Sequence, residues 1–252
     1  MNLTLNTINE DEKKITFESN AGLNLICGLT GSGKSSVLNA IQNEYQYSNN
    51  IILINDLFKS YVLTDTYNSL KSQKECISLI LEALNICLNN ETYNYKKIIN
   101  FEISKHHNYI LTFEDNSHKI IFSLGEKQLI RDIMVISYTF SFAYYFFKDK
   151  TILLTIDDFC NNFDLIITKN LCNWVLDKSK LYPDVHIVMT TQNRYVINAV
   201  PLKNISFIEN TLDEFKIYNY SNSKENFDEF EYTGMGNFDC LNTKFYKDGF
   251  TD

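Results

Sequence analysis

Proline is nearly missing from this chain of 252 residues: there are two, Pro183 and Pro201, beside eight glycines. No stretch rich in Gly, Ser or Pro marks a linker, and no internal repeat is evident. One unit, residues 1–252, is the simplest organisation. Arginine is as scarce, with only Arg131 and Arg194, and 23 basic against 31 acidic side chains leave a formal net charge of −8. That balance argues against non-specific coating of DNA, which needs a cationic face, while leaving room for a local basic groove. No Cys-x-x-Cys pair exists among Cys27, Cys76, Cys87, Cys160, Cys172 and Cys240. The thiols therefore read as reduced core residues, not as a disulfide framework or a zinc site. A long apolar run is also absent. The most apolar stretch, Ile133–Phe147, carries Ser137, Thr139 and Ser141. It is too short and too hydroxylated to span a bilayer, and reads as a helix buried in protein. Met1–Lys14 is polar and acidic, without the apolar core of a secretory leader. No membrane association is expected, and the setting is expected to be cytoplasmic.

What is present is globular. Apolar residues make up 44% and charged residues 21% of the chain, which excludes disorder. Short apolar or β-branched runs predict strands at Leu23–Cys27, Ile51–Ile54, Thr151–Ile156 and Val185–Thr190, of the kind found in parallel sheets covered on both faces. Ile205–Ile208 and Glu214–Tyr218 read as terminal strands. Helical spacing marks Ser35–Tyr45, Leu70–Leu88 and the long Glu126–Phe147. Tyr109–Phe113 and Lys119–Phe122 flank Asp115-Asn116-Ser117 as a hairpin. The order is α/β, mostly parallel, with a helical and hairpin insertion over 57–122.

The first chemical motif is Gly28-Leu29-Thr30-Gly31-Ser32-Gly33-Lys34-Ser35. It fits G-x-x-x-x-G-K-[ST] at each fixed position, with a predicted strand before it and an amphipathic helix after it. Glycines let backbone N–H groups wrap phosphates, and the helix N-terminus adds partial positive charge. Gly28, Thr30, Gly31, Ser32, Gly33, Lys34, Ser35 and Ser36 are the expected nucleotide contacts. Lys34 would reach the β- and γ-phosphates, and the Ser35 hydroxyl would ligate Mg²⁺. A second anchor for that metal stands where an apolar strand emerges into Asp157-Asp158. Asp157 is the expected metal residue, and Asp158 the group that polarises the attacking water.

Phe122-Ser123-Leu124-Gly125-Glu126-Lys127 opens the long helix as a capping serine followed by a glycine, which makes a second anion site at a helix N-terminus. The segment resembles the signature motif of ABC-type ATPases, in the S-x-G-E-[KR] form of the SMC, recombination-repair and OLD-like branch. Three neighbours strengthen the resemblance, which spans roughly residues 15–210. Asp157-Asp158 stands in the Walker B position. Asp164 follows Asp158 at the spacing of the family's D-loop. Val185–Asn193 resembles the strand ending in Thr-Thr-His-Ser, with Gln192 where the family has its switch histidine. The resemblance implies a P-loop NTPase with an ABC-type head that uses ATP and Mg²⁺ and dimerises across ATP. In such a dimer Ser123, Gly125, Glu126 and Lys127 touch the nucleotide held by the twin. Two departures stand out: Asp158 replaces a glutamate one methylene longer, and Gln192 cannot take up a proton as histidine can. Catalysis by Lys34, Asp158 and Gln192 is therefore expected to be slow and ATP binding tight. Asn55 or Asp56 is the candidate for the family's Q-loop glutamine.

Lys34 and Ser123 are 89 positions apart without a sustained heptad run, too little for the long coiled coil of a DNA-tethering SMC protein. The chain looks like a free-standing head, similar to small ATPases that accompany effectors in bacterial antiphage systems. The expected function is an ATP-driven switch for a separate nuclease or toxin, with nucleic acid touched only through the assembly. The alternative is a DNA-repair or DNA-end-sensing ATPase. A P-loop kinase for a small metabolite is disfavoured, since such enzymes clamp phosphates with several lid arginines. His106, His107 and His118 have no thiolate or carboxylate at ligand spacing and read as surface residues; Trp174 reads as core. In 221–252, Phe227, Phe230, Tyr232, Phe238, Phe245, Tyr246 and Phe250 alternate with acidic residues. That segment either packs over a sheet edge or docks a partner.

Overall fold

A computed structural model describes residues 3–8, 14–46, 48, 50–55, 74–89, 95–104, 106, 108–120, 122–146, 150–210 and 215–249. The chain opens with β1 (Leu3–Ile8) and β2 (Lys14–Ser19), an antiparallel pair, followed by β3 (Gly22–Cys27) and α1 (Lys34–Tyr45). Next come β4 (Ile51–Asn55), α2 (Lys74–Leu88), and β5 (Ile98–Ile103), β6 (Tyr109–Phe113) and β7 (His118–Lys119). Then follow α3 (Leu124–Phe146), β8 (Thr151–Ile156), α4 (Leu165–Ser179), β9 (Val185–Thr190) and α5 (Arg194–Ala199). After a 3₁₀ turn at Leu202–Asn204 the chain closes with β10 (Ile205–Asn210), β11 (Phe215–Tyr218), α6 (Lys224–Tyr232), α7 (Asn237–Thr243) and α8 (Phe245–Asp248).

Six strands form the main sheet in the order β11-β10-β3-β9-β8-β4, parallel except for the β10–β11 pair. Alternation along each strand divides the core in two, because successive side chains point to opposite faces. Leu23, Leu25 and Cys27, with Ile152, Leu154, Ile156, Ile187 and Met189, face the larger cluster, which α2, α3 and α4 complete. Ile26, Leu153, Val188 and Ile208 face Val37, Leu38 and Ile41 of α1. Burial on both faces is why these strands read as continuous apolar runs. All six cysteines are buried and free. Trp174 is buried, and His106 and His118 are exposed.

Several elements differ from expectation. The β1–β2 pair and β5 are not among the expected strands, although Ile99–Ile103 alternates apolar and polar. β5 docks on α2 through Asn85, whose carboxamide accepts from Ile98 N at 2.8 Å and donates to Ile98 O at 2.9 Å, mimicking a strand neighbour. The second hairpin strand is only His118–Lys119, and α3 begins at Leu124, two residues before the sequence suggests. The acidic-aromatic tail folds into α6–α8. Phe227, Phe230 and Tyr246 are buried; Tyr246 stacks on Phe207 at 4.7 Å and meets Tyr218 at 5.1 Å. Tyr232 stays exposed. His107, Phe147, Phe250, Asp56, and the parts of the predicted insertion at 57–73, 90–94, 105 and 121, lie outside the described residues; so do the start of the Leu70–Leu88 stripe and Glu214. No helix among the described residues is long and apolar enough to cross a membrane.

One buried base sets a pH response. His186 of β9 lies with Nδ1 2.9 Å from Ser19 Oγ, and burial pulls its pKa down to about 4. The folded value lies below the unfolded one, so between them the unfolded chain binds more protons and stability rises with pH. Lowering the pH from about 7 to about 5 should cost the fold about 2 kcal/mol through this group. Denaturant unfolding of wild type and His186→Gln at the two pH values checks this. The variant should show a smaller difference by about that amount, and an equal drop in both would contradict it.

Candidate functional site

Parallel strands collect their following loops at one sheet edge, where ligands of open α/β sheets bind. The turns after β3, β9 and β8, three neighbouring strands, carry Lys34, Gln192 and Asp157-Asp158 respectively. After Cys27 the backbone passes so close to its surroundings that a Cβ on Gly28 would overlap Ser32 Oγ and lie 2.9 Å from Ile208 O. Ser32 N donates to Leu29 O at 3.1 Å to close the turn. Gly33 then caps α1 at φ +88° without a side-chain hydrogen bond, a backbone angle that favours glycine. The first N–H groups of α1 thus face the loop without a capping side chain, and Ser32 Oγ is buried without a hydrogen-bond partner. Lys34, 6% exposed, donates to Gly28 O at 2.9 Å and Leu29 O at 3.0 Å. Burial lowers its pKa, opposed by neighbouring acidic groups that include Asp158 and Asp157. An orphan hydroxyl, free helix N–H groups and a half-compensated ammonium all suit a polyphosphate.

A second corner forms beside it. Ser35 Oγ donates to Asp157 Oδ1 at 3.2 Å. The same oxygen accepts from the Thr190 hydroxyl, which in turn accepts from Asp158 N at 2.9 Å. Thr190 therefore ties the ends of β8 and β9 together. Ser35 and Asp157 fit a hard divalent cation that keeps water and substrate phosphates as its remaining ligands. No cluster of three or more His, Cys, Asp or Glu suited to a metal exists among the described residues.

Asp158 and Gln192 are held by a third residue. Asp158 sits at φ +54°, and its Oδ1 accepts from Asn161 Nδ2 at 2.8 Å. Asn161 Oδ1 accepts from Gln192 N and from Thr191 Oγ1, both at 3.2 Å. Gln192 Oε1 accepts from Thr30 Oγ1 at 3.3 Å, linking the loop after β9 to the phosphate loop. Asp164 caps α4 through Ile166 N and Ile167 N. Asn55 is the last residue of β4. Ser36 is exposed in the first turn of α1.

Ser123, Gly125, Glu126 and Lys127 form a separate group. Ser123 is exposed and caps α3 in a reciprocal box: its Oγ accepts from Glu126 N at 3.2 Å, and Glu126 Oε2 accepts from Ser123 N at 2.8 Å. Glu126 Oε1 accepts from Lys119 Nζ at 2.6 Å and from the Tyr95 hydroxyl at 2.8 Å. Burial alone would raise the Glu126 carboxyl, but the hydrogen bonds from Lys119, Ser123 and Tyr95 outweigh it and bring it down to about 2. Lys127 is exposed. Among the described residues no hydrogen bond joins this group to residues 28–36. Sequence reasoning missed Thr190 and Asn161 as links and Lys119 and Tyr95 as partners. Thr190 and Asn161 at least fall inside motifs, whereas no local pattern marks the other two.

The family model described as an AAA domain matches residues 5–45, which run from β1 to the end of α1. No curated protein matches the sequence. Among solved structures, the chain is similar to the SMC head domain from Thermotoga maritima, with TM-score 0.52 and 10% identity over 86% of this chain and 97% of that one. It is also similar to an SMC head bound to the C-winged helix domain of ScpA, with TM-score 0.53 and 10% identity over 85% and 95%. The chain has the α/β fold seen in these SMC head domains, and the AAA-domain match covers the segment that carries its Gly28–Ser35 loop.

Proposed function

We propose that the chain is an ATP-binding and slowly ATP-hydrolysing switch whose working pocket is shared between two copies. The observation that carries this reading is the separation of two anion-binding ends. Lys34, Ser35, Asp157 and Thr190 converge at the sheet edge, while Ser123 stands exposed at the start of α3 with its own partners. Each end also shows an uncovered leucine, Leu29 at 60% and Leu124 at 85% exposure. Two such side chains beside two polar half-sites fit burial against a second molecule.

In this reading Gly28, Thr30, Gly31, Ser32, Gly33, Lys34, Ser35 and Ser36 hold the ATP phosphates, with Ser35 and Asp157 placed to hold Mg²⁺. The cation, when bound, neutralises charge on the phosphoryl oxygens. Asp158 polarises the attacking water, and Gln192 hydrogen-bonds the water or the γ-phosphate. The partner's Ser123–Lys127 helix end completes the anion site, so ATP favours the closed pair and hydrolysis releases it. Asp158→Asn removes the carboxylate while keeping its shape. It should cut turnover at least tenfold and hold the ATP-bound dimer. Phosphate release and sedimentation velocity with ATP and with ADP test both halves. A monomer at all nucleotide states would overturn the shared pocket, and turnover typical of fast motor ATPases would overturn the slow half.

The switch would act on a separate effector, a nuclease or toxin, in a cytoplasmic antiphage system. The short insertion and the resemblance to free-standing defence ATPases support this. The likeness to SMC heads supports equally a DNA-repair or DNA-end-sensing role. A salt-dependent gel shift with duplex DNA favours that role, and co-purification of a nuclease favours the first.

A further inference from the structure

The three-stranded sheet β5–β7 and the Ser123 half-site meet in one polar cluster. Lys119, the last residue of β7, and Tyr95, three residues before β5, both donate to Glu126 Oε1, at 2.6 and 2.8 Å, and Lys119 also donates to the Tyr95 hydroxyl. The other carboxylate oxygen accepts from Ser123 N, and Glu126 N closes the ring on Ser123 Oγ. A single carboxylate thus spans from the small sheet to the capping serine. Aromatic packing fixes the donors: the ammonium lies 4.6 Å from the Tyr95 ring centroid and 5.3 Å from that of Phe122, and Tyr95 stacks on Phe113 at 5.9 Å. Lys119 and Glu126 are about a quarter and a fifth exposed, so their attraction is screened less than that of a surface pair.

The cluster solves an electrostatic problem. A carboxylate in the first turn of a helix suits the helix but repels an anionic ligand approaching the same N-terminus. Lys119 neutralises Glu126 and, with Tyr95, occupies one of its oxygens while Ser123 N occupies the other, so the helix end remains attractive to phosphate and Ser123 keeps one orientation.

We propose that Lys119 and Tyr95 are positioning residues for Ser123: through Glu126, the small sheet sets the charge and orientation of the helix end that meets the second copy's triphosphate. The inference rests on the shared-pocket reading above. It is tested with the full chain, Mg²⁺ and the non-hydrolysed analogue AMP-PNP, by sedimentation velocity for dimerisation and by calorimetry for binding at protein concentrations below dimerisation. Lys119→Met should weaken analogue-dependent dimerisation about tenfold, as expected for about 1.4 kcal/mol. Monomer binding should stay within about twofold of wild type, because the phosphate loop is untouched. Lys119→Arg, which keeps the charge and the donors, should restore most of the loss, and Tyr95→Phe should give a smaller one. Wild-type dimerisation by Lys119→Met overturns the inference alone. So does a loss that Lys119→Arg does not rescue and that falls in step with melting temperature. A wild-type chain that stays monomeric with AMP-PNP overturns the shared-pocket reading and this inference with it.

Discussion

Lys34→Ala is expected to reduce ATP affinity by two orders of magnitude or more and to remove every activity that follows from it. The ammonium is buried at the mouth of the phosphate loop, with two loop carbonyls as its partners. A triphosphate offers charged oxygens instead, and each such hydrogen bond contributes roughly 1.5–3 kcal/mol. Losing two of them, about 3–6 kcal/mol, corresponds to a hundredfold or greater drop in affinity. The fold should survive. Alanine leaves the Gly28 and Leu29 carbonyls short of a donor, but it also removes a charge that burial disfavours. Calorimetric titration with ATP, alongside a thermal melt, separates the two effects. ATP binding at wild-type strength would mean that the loop does not hold the nucleotide.

Ser123→Arg is expected to do the opposite: leave ATP binding by the monomer within about twofold, yet abolish ATP-dependent dimerisation. Ser123 is exposed, and among the described residues its hydrogen bonds stay within its own helix turn. Losing the cap costs α3 about 1 kcal/mol, little for a 23-residue helix that places Leu129, Ile130, Ile133 and Phe140 in the core. The arginine instead occupies the space into which a second copy's nucleotide would come. Ser123→Ala is the control for bulk: it loses the cap and the hydroxyl without filling that space, and should weaken dimerisation about as much as Lys119→Met does without abolishing it. If Ser123→Arg also removed monomer binding, the two ends would not be independent half-sites. Unaltered dimerisation by Ser123→Arg would place the dimer contact elsewhere.

These expectations meet at Glu126. The family resemblance implies that it touches the twin's nucleotide. In the structure both of its oxygens are taken, by Ser123 N on one side and by Lys119 and Tyr95 on the other. Its part in the half-site is better read as holding Ser123 than as meeting phosphate, and the Lys119 variants test that reading.

The chain's own order was enough to reveal whatever depends on neighbours in sequence. The phosphate loop is eight consecutive residues between a strand and a helix, and its glycines are needed for reasons of local backbone geometry. The apolar runs of β3, β8 and β9 are legible because those strands are covered on both faces, so burial does not interrupt the pattern. Ser123 and Glu126 announce a helix start because a capping box is a local exchange of hydrogen bonds. Tertiary structure decided the rest. Thr190 meets Asp157 across two strands, and Asn161 bridges the loops after β8 and β9. Lys119 reaches Glu126 from β7 and Tyr95 reaches it from just before β5, across 7 and 31 positions of sequence, separations that no local pattern marks. The tail could have packed inward or faced a partner. Phe227 and Tyr246 went inward because Phe207 and Tyr218 offered them aromatic surface, while Phe230 packs on Phe245 of the tail itself, a choice the first two owe to distant residues and not to a local pattern.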